Sequence, residues 1–193
     1  LATVVLDMLS IGLIVPIMPR LVETYFSDVT SAAHAFGWSM TMWATLQFFM
    51  SPILGALSDQ YGRRPIILLS CVGLGVSYFA TALAPTFSAF LAARVISGAT
   101  AGNISAANAY VADVTPPAGR AKAFGMLGAA FGVGFTFGPA MGGLLGAIDV
   151  RLPLYVAGSL CFLNAAYGYF VLPESHKLEN RSPFKWRKAN PIG

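Results

Sequence analysis

The sequence predicts an all-α membrane protein that consists of six transmembrane helices. Three observations carry this prediction: an apolar composition, apolar runs of transmembrane length, and short polar breaks between the runs. Of the 193 residues, 56% are hydrophobic and only 10% are charged, and the mean hydropathy is +0.67. A soluble domain carries about a quarter charged residues and keeps much of its surface in water. The composition therefore favours a single membrane-embedded bundle over a soluble core.

Each apolar run is long enough to cross a bilayer, since a membrane helix needs about 20 residues at about 1.5 Å per residue. The six predicted spans are 2–24, 35–57, 65–84, 86–112, 122–147 and 153–172. The breaks between them hold helix-stopping or polar residues: Ser27-Asp28, Asp59 to Pro65, Pro85, Pro116-Pro117, Asp149 to Pro153, and Pro173. We expect residues 1–172 to form the bundle and residues 173–193 to form a tail.

The first span begins at Leu1, without a methionine or a basic leader. We expect the natural start to lie upstream, and the span to be a membrane helix because it is too long for a signal peptide and lacks a cleavage site. Pro65 and Pro153 open the third and sixth spans, 88 residues apart (65 to 153). The first and fourth spans are offset by about the same amount, which is consistent with a 3+3 inverted repeat.

The basic residues predict the orientation of the spans, because cytoplasmic loops carry an excess of Lys and Arg. One set of loops holds nine of them and the alternate loops hold two. The nine are Arg63, Arg64, Arg120, Lys122, Lys177, Arg181, Lys185, Arg187 and Lys188, and the two are Arg20 and Arg151. We therefore expect the 58–64 loop, the 114–121 loop and the tail to be cytoplasmic.

Several functional classes are not supported by the sequence. The net charge is +4, but the charges lie in short gaps between apolar runs and not on a basic stripe that would bind nucleic acid. Cys71 and Cys161 lie inside apolar spans, which predicts two small buried side chains and neither a disulfide nor a metal site. His34 and His176 are expected to be solvated loop residues. No HExxH, GxSxG or P-loop pattern is present, so we expect no enzyme activity, no metal and no cofactor.

Asp7 and Arg94 are charged residues that fall clearly within spans. A charge at mid-membrane costs about 2.5–3.5 kcal/mol on insertion scales, so such residues usually face a wet cavity and serve function. Their depths along the two helices differ, at about 1.5 Å per residue, so a direct ion pair is not expected. We expect Arg94 to lie near Gly12, where backbone carbonyls are accessible, and any coupling to Asp7 to pass through water or other groups.

The fourth span also carries a polar face. Arg94, Gly98, Ala101, Ser105 and Asn108 follow the spacing of one helix face, which predicts that this face lines a cavity inside the bundle. Gln47, near mid-depth of the second span, is another cavity candidate. Either could instead form an ordinary interhelical hydrogen bond, worth about 0.6 kcal/mol.

The loop between the second and third spans contains the most specific pattern in the chain. It has the form GxxxDxxGRRP and comprises Gly55, Asp59, Gly62, Arg63, Arg64 and Pro65. Gly62 permits a positive φ in a tight turn, and Pro65 suits the start of the next helix. The pattern resembles the cytoplasmic-loop signature of the major facilitator superfamily. A generic basic loop that only fixes topology is the simpler alternative.

The fifth span is rich in glycine, and its pattern resembles the GxxxGPxxGG motif of the superfamily's exporters. The motif residues are Gly134, Gly138, Pro139, Gly142 and Gly143. Small residues at this spacing let helices approach closely, and Pro139 bends the helix. Ordinary helix packing remains the alternative.

Arg94 and Gly98 resemble the RxxxG motif of proton-coupled members of the superfamily. The first span, from Leu6 to Pro19, and the tail sequence Leu172-Pro173-Glu174-Ser175 are similar to those of the tetracycline efflux family. This resemblance covers essentially the whole chain. It implies the N-terminal half of a twelve-helix transporter, whose tail leads into the linker between the halves.

The resemblance also implies roles for particular residues. Asp59, Arg63 and Asp113 would form a charge cluster that joins the second and fourth spans, although three solvated loop charges are the alternative. Tetracycline exporters carry an acidic residue in the third span where this chain has Ser77. Ser77 is therefore a candidate cavity residue, and tetracycline itself is in doubt as the substrate.

The function implied by this resemblance is proton-coupled efflux of an amphipathic, drug-like compound such as a tetracycline from a bacterial inner membrane. The partners are lipid, protons, the small-molecule substrate and a second six-helix half that covers the polar face of the fourth span. We expect the glycine face from Gly134 to Gly146 to pack against that half. The alternatives are a half-transporter or fragment that works only after assembly with itself or a partner, and a solute:proton symporter.

Overall fold

A computed structural model describes residues 2–176, 181–182 and 186 of the chain. The calls for the rest of the tail, including Lys177, Lys185, Arg187 and Lys188, lie outside the described residues. Within them the chain forms helices and no strand. The helices are α1 (Ala2–Ile14), α2 (Ile17–Glu23), α3 (Val29–Tyr61), α4 (Arg63–Leu83), α5 (Phe87–Thr100), α6 (Asn103–Val114), α7 (Arg120–Ile148) and α8 (Leu152–Val171), with a 3₁₀ turn at Pro117–Gly119.

These eight helices follow the six predicted spans. Five segments of the described chain are long and apolar enough to cross a membrane: α1 with α2, α3, α4, the 3₁₀ turn with α7, and α8. The fourth predicted span, 86–112, is two helices of 14 and 12 residues, each too short to cross alone. The prediction of one continuous fourth helix is therefore wrong. The second span is longer than predicted and has 33 residues.

The two interruptions have different causes, one local and one in the packing of the bundle. Between α1 and α2, Pro16 provides no backbone N–H to the helix ladder. Between α5 and α6, Gly102 is buried, and a Cβ added there would lie 2.7 Å from Leu54 Cδ1 and 3.2 Å from Ser70 Oγ. The backbone at Gly102 therefore packs directly on α3 and α4, and its carbonyl begins α6 by accepting from the N–H of Ala106 at 3.0 Å.

The contacts between helices have the symmetry of the predicted repeat. α1 packs on α7 and α8, α4 packs on α8 and α5, and α3 packs on α5. The first repeat (α1 with α2, α3, α4) thus meets the second (α5 with α6, α7, α8) through equivalent pairs. Both interrupted spans occupy the same position in their repeats, which agrees with the expected 3+3 arrangement.

The glycine face of α7 packs inside this bundle. A Cβ added to Gly138 would lie 2.6 Å from Gly12 Cα, and one added to Gly12 would lie 2.6 Å from the carbonyl oxygen of Gly134. Gly142 and Gly146 approach Leu13 and Ile17 in the same way. The expectation that this face meets a second half is therefore wrong, because α1 already covers it.

The two ends of the bundle differ in charge. We call them the Gly62 end, where α3 joins α4 and α6 leads to α7, and the Asp28 end, where the other loops lie. Asp28 caps α3 by accepting from the N–H of Ser31 at 2.8 Å, and this hydrogen bond holds the pKa of Asp28 below its ordinary value.

Many large apolar side chains are exposed along the flanks of the bundle, such as Leu144 (73%) and Phe170 (83%). A bilayer is the environment that such a surface fits.

Candidate functional site

A cavity of about 290 Å³ lies between the helices, and we call it the central cavity. Its walls are mostly apolar and aromatic: Met8, Ile11, Ile14, Val15, Met18, Phe36, Met40, Trp43, Leu74, Tyr78, Ala101, Ile104, Phe131 and Phe135. Its polar side chains are Asp7, Gln47, Arg94 and Ser97. Asp7 and Arg94 are each 5% exposed. The structure therefore brings the two predicted intramembrane charges and Gln47 to one mostly apolar chamber.

Arg94 is held by side chains of α3. Its guanidinium lies 5.1 Å from the ring centre of Trp43, and its Nη2 donates to Met40 Sδ at 3.4 Å. The indole N–H of Trp43 donates to Ser97 Oγ at 3.1 Å, which fixes the ring one helical turn from Arg94. The expectation that Arg94 lies near Gly12 is wrong, because α7 covers Gly12 and the Trp43 ring offers the cation a better surface.

Gly98 makes this arrangement possible. A Cβ added to it would lie 2.8 Å from Leu46 Cβ and 3.2 Å from the carbonyl oxygen of Trp43. Only glycine allows α3 to approach α5 so closely that Trp43 reaches Arg94. The RxxxG spacing thus has a packing reason: the arginine faces the cavity while the glycine admits the helix that carries its aromatic partner.

The rest of the predicted polar face is divided by the interruption at Ala101-Gly102. Ser105 lines a separate open cleft beside Asp59 and Arg63, and its hydroxyl donates to the carbonyl of Gly102 at 3.0 Å. Asn108 is exposed and borders a small void of about 10 Å³ next to Asp7. The prediction that these residues share one cavity-lining face with Arg94 is therefore wrong.

Ser77 does not line the central cavity either. It is 1% exposed within α4, where its carbonyl accepts from the hydroxyl of Thr81 at 2.7 Å. The neighbouring positions Leu74 and Tyr78 face the cavity instead. A helix places positions 74 and 78 on one side and position 77 beside it, so assigning Ser77 to the cavity misread the face of α4.

At the Gly62 end, three predicted charges meet. Arg63 Nη1 lies 2.5 Å from Asp59 Oδ1, and Arg63 Nε lies 3.2 Å from Asp113 Oδ2. Arg63 Nη1 also donates to Ser58 Oγ at 2.6 Å. Arg63 is only 9% exposed, so these groups replace most of its contact with water. The arginine thereby ties α4 to α3 and α6; we call these four residues, Ser58, Asp59, Arg63 and Asp113, the charge cluster.

The other loop residues position this cluster. Gly62 has φ +110°, the one positive φ in the described chain, and its N–H donates to the carbonyl of Ser58 at 3.1 Å. The helix α4 begins at Arg63, so Pro65 lies in its first turn and not at its start. Arg64 lies over the Tyr169 ring at 5.2 Å and donates to the carbonyl of Tyr169, and Gly55 lines the open cleft beside the cluster.

The segment after α8 returns to the same cluster, which sequence reasoning missed. Glu174 Oε1 accepts from the N–H of Arg63 at 2.9 Å, Ser175 Oγ lies 3.5 Å from Asp113 Oδ2, and His176 Nδ1 lies 3.7 Å from the same oxygen. The expectation that His176 is an unremarkable loop residue is therefore wrong. The available signal was its position next to Pro173-Glu174-Ser175, because polar residues that directly follow a span lie near the loops at the same end of the bundle.

The fifth-span motif is split between two environments. Gly134, Gly138 and Gly142 are buried against α1, and Pro139 lies inside α7. A Cβ added to Gly143 would meet nothing within 4 Å. In the part of the chain that the structure describes, no group of three or more His, Cys, Asp or Glu side chains could hold a metal ion, and the two buried cysteines are not joined in a disulfide.

Comparison with known proteins identifies the family. The family model described as Major Facilitator Superfamily matches residues 1–192. The chain belongs to the Major Facilitator Superfamily. It is 41% identical to a class C tetracycline resistance protein of Escherichia coli, over all of this chain and 48% of that protein. It is 36% identical to a class H tetracycline resistance protein of Pasteurella multocida, over 97% of this chain and 48% of the relative.

A solved structure supports the same assignment. The crystal structure of the human organic anion transporter MFSD10 (TETRAN) matches with a TM-score of 0.83 and 30% identity, over 97% of this chain and 50% of that one. The chain thus spans about half the length of the relatives that it matches. The predicted fold class, the N-terminal six-helix half of a superfamily transporter, is confirmed. Because members of this superfamily are transporters, the chain is part of a transporter and not an enzyme.

Proposed function

We propose that this chain is the N-terminal half of a proton-coupled exporter that moves an amphipathic, drug-like compound out of a bacterial cell. The observation that carries the proposal is the central cavity, where Asp7 and Arg94 face an apolar chamber with five aromatic side chains in its walls. Such a chamber suits a flat amphipathic molecule, because rings bind the apolar part and a few polar groups orient it. The tetracycline resistance relatives support the same class of cargo.

Asp7 is the proposed proton carrier. A buried carboxyl group that alternately binds and releases a proton can drive the exchange of substrate across the membrane. Arg94 lies in the same cavity and supplies a positive charge. The attraction between this charge and Asp7 is lost when Asp7 is protonated. Efflux with protons moving inward follows if substrate and proton compete for this pair; transport in the same direction as protons is the symport alternative.

The second half of the transporter is part of this proposal. The central cavity borders Val15, which is 50% exposed, and Met40, which is 37% exposed, so one wall of it remains open. A second six-helix body, either a C-terminal half or another copy, would close this wall and allow alternating access. We place the whole assembly in the bacterial inner membrane, with the Gly62 end and the tail that follows residue 173 in the cytoplasm.

The test is Asp7→Asn in vesicles that contain the complete transporter. Efflux driven by a pH gradient is expected to be lost, while the amount of protein in the membrane is unchanged. Asp149→Asn is the matched control, because Asp149 is exposed at the Asp28 end and accepts from the N–H of Arg151 at 2.7 Å. If efflux driven by a pH gradient persists in Asp7→Asn, the role of Asp7 is rejected. Uptake of substrate in the same direction as the protons identifies a symporter.

An organic anion is a second candidate cargo, and the surroundings of Arg94 favour it. Among the described contacts of Arg94, its Nη2 reaches only a thioether sulfur, and its buried Nε has no hydrogen-bond partner. A carboxylate or sulfonate on the cargo would supply the acceptors that a buried guanidinium needs. The human relative MFSD10, named an organic anion transporter, supports this candidate.

Transport of a tetracycline and of a fluorescent aromatic carboxylate separates the two candidates. An anion carrier moves the carboxylate faster, and Arg94→Gln then reduces its transport more than that of tetracycline. Equal sensitivity of both compounds to Arg94→Gln assigns Arg94 to coupling and not to cargo recognition.

A further inference from the structure

A second, small cavity also touches Asp7, and neither Trp43 nor Arg94 lines it. Its volume is about 20 Å³, and residues of α1, α4, α6 and α8 line it. Its polar lining is Thr3, Asp7, Cys71 and Asn164. Neither the predicted motifs nor the transport cycle proposed above uses Thr3 or Asn164, so the cavity needs an explanation of its own.

Asn164 is completely buried in α8 and is oriented by α1. Its Nδ2 donates to the carbonyl oxygen of Thr3 at 2.9 Å and lies 3.6 Å from Cys71 Sγ. Because a carbonyl can only accept, this contact fixes the amide nitrogen towards Thr3 and directs the amide oxygen elsewhere. That oxygen has no hydrogen-bond partner among the described residues, and the same is true of Thr3 Oγ1.

The cavity has the size and chemistry of a site for one water molecule. A water needs about 10–15 Å³ and two to four polar partners. The cavity provides the amide oxygen of Asn164, the hydroxyl of Thr3 and the carboxyl group of Asp7. A neighbouring void of about 10 Å³, bordered by Asn108, also touches Asp7 but contains neither the Asn164 amide oxygen nor the Thr3 hydroxyl in its lining.

We propose that this cavity binds one ordered water molecule and that Asn164 positions the carboxyl group of Asp7 through it. The water donates one hydrogen bond to the Asn164 amide oxygen and one to Asp7, and it accepts from the Thr3 hydroxyl. Asn164 is thus a positioning residue: it does not line the central cavity, and it acts on Asp7 through the water.

Other polar and ionisable groups also lie near Asp7 and have to be kept constant. Tyr78 of α4 and Arg94 of α5 share the central cavity with it, Cys71 of α4 shares the small cavity, and Cys161 of α8 interacts with it electrostatically. From α6 and α7, the small void places Asn108 and Phe131 beside Asp7. The variants in the test below change none of these side chains. Asp7→Asn is used only to assign the infrared band of Asp7.

Infrared spectroscopy of the complete transporter in lipid membranes tests the proposal without any transport. The C=O stretching band of protonated Asp7 is assigned by its loss in Asp7→Asn, and the bound water is assigned by the shift of its O–H band in H₂¹⁸O. Asn164→Leu is expected to move the Asp7 band to higher wavenumber and to remove the water band, since a hydrogen bond to the carboxyl group is lost. Asn164→Ser keeps a hydroxyl and leaves more room, so both bands are expected to remain.

Two further variants keep the test decisive. Ser159→Ala removes a hydroxyl from the exposed side of the same helix, where it donates to the carbonyl of Tyr155 at 2.8 Å, and is expected to change neither band. Thr3→Val keeps the side-chain shape and removes the hydrogen bond that the water accepts, so it is expected to shift the O–H band of the water even if Asn164→Leu does not fold. An unchanged Asp7 band in folded Asn164→Leu, or an unchanged water band in folded Thr3→Val if the leucine variant does not fold, overturns the proposal. The role of Asp7 in transport is tested separately, by measuring efflux driven by a pH gradient in Asp7→Asn.

Discussion

At the scale of single residues, the central cavity depends on how Arg94 is oriented. Arg94 lies over Trp43 at 5.1 Å, and the indole is fixed by its hydrogen bond to Ser97. A guanidinium that stacks on a ring keeps its N–H donors at the ring edge available to a ligand. Trp43 therefore decides where in the cavity the positive charge of Arg94 is presented.

We predict that Trp43→Leu weakens substrate binding about two- to tenfold, which corresponds to about 0.5–1.4 kcal/mol for a lost cation–π contact. Trp38→Leu is the matched control, because Trp38 is on the same helix but is 75% exposed and does not line the cavity. The measurement is the KM of efflux in vesicles. If both variants raise KM equally, the stacking on Trp43 does not orient Arg94.

The strength of the charge cluster depends on how far its individual side chains are exposed to solvent. Asp59 and Asp113 keep 36% and 28% of their side-chain surface exposed, so solvent screens their attraction to Arg63. We predict that Asp59→Asn changes thermal stability by less than about 1 kcal/mol but slows transport, because the cluster joins α3, α4 and α6. The amount of protein in the membrane and the rate of efflux are both measured. Efflux at the parental rate shows that the cluster does not contribute to conformational cycling.

At the scale of helices, α1 and α7 approach each other through glycine backbone on both sides. A Cβ on Gly138 would lie 2.6 Å from Gly12 Cα, so backbone would have to move and not only a flexible side chain. Gly143, on the same helix, has nothing within 4 Å of an added Cβ. Replacing glycine by alanine at these two positions therefore compares a tightly packed site with an open one on the same helix.

We predict that Gly138→Ala lowers the stability of the bundle by about 1–3 kcal/mol, the usual range for overpacking a tight contact. Gly143→Ala is expected to have little effect, or to stabilise α7 slightly because alanine favours a helix. Thermal unfolding in detergent measures both. Equal stability of the two variants would show that α1 and α7 are not packed as closely as the structure places them.

The helices show what could be predicted from the sequence and what could not. The spans and the loop motif were predictable, because length, hydropathy and the GxxxDxxGRRP spacing are local properties of the chain. The interruption at Gly102 was missed because other apolar runs, such as α7, continue through several glycines without a break. Its effect comes from Leu54 and Ser70, which lie on other helices. The partners of Arg94 and of the glycine face were missed for the same reason, since spacing identifies a face but not what covers it.

At the scale of the whole molecule, the orientation in the membrane is the main open prediction. Gln60 lies at the Gly62 end, and Ser27 is exposed at the Asp28 end. Both native cysteines are buried, so an introduced thiol can be labelled over a low background. The two positions therefore report on opposite sides of the membrane.

We predict that Gln60→Cys in intact cells resists an impermeant thiol reagent, because the excess of basic residues at this end keeps it in the cytoplasm. Ser27→Cys is expected to react readily under the same conditions. Both should react once the membrane is permeabilised, which controls for burial of the thiol. Labelling of Gln60→Cys from outside would reverse the orientation.

The two interrupted spans have a mechanical consequence for the cavity charges. The helices α1 and α6 reach from their interruptions to the Gly62 end, whereas α2 and α5 reach to the Asp28 end. Asp7 therefore travels with a segment of one end and Arg94 with a segment of the other. Helix hydrogen bonds that resist bending are missing at Val15-Pro16 and Ala101-Gly102, so these are the softest joints of their spans. Bending at either joint changes the separation of the two charges, and a rocking of the bundle ends is thereby converted into a change of electric field at Asp7.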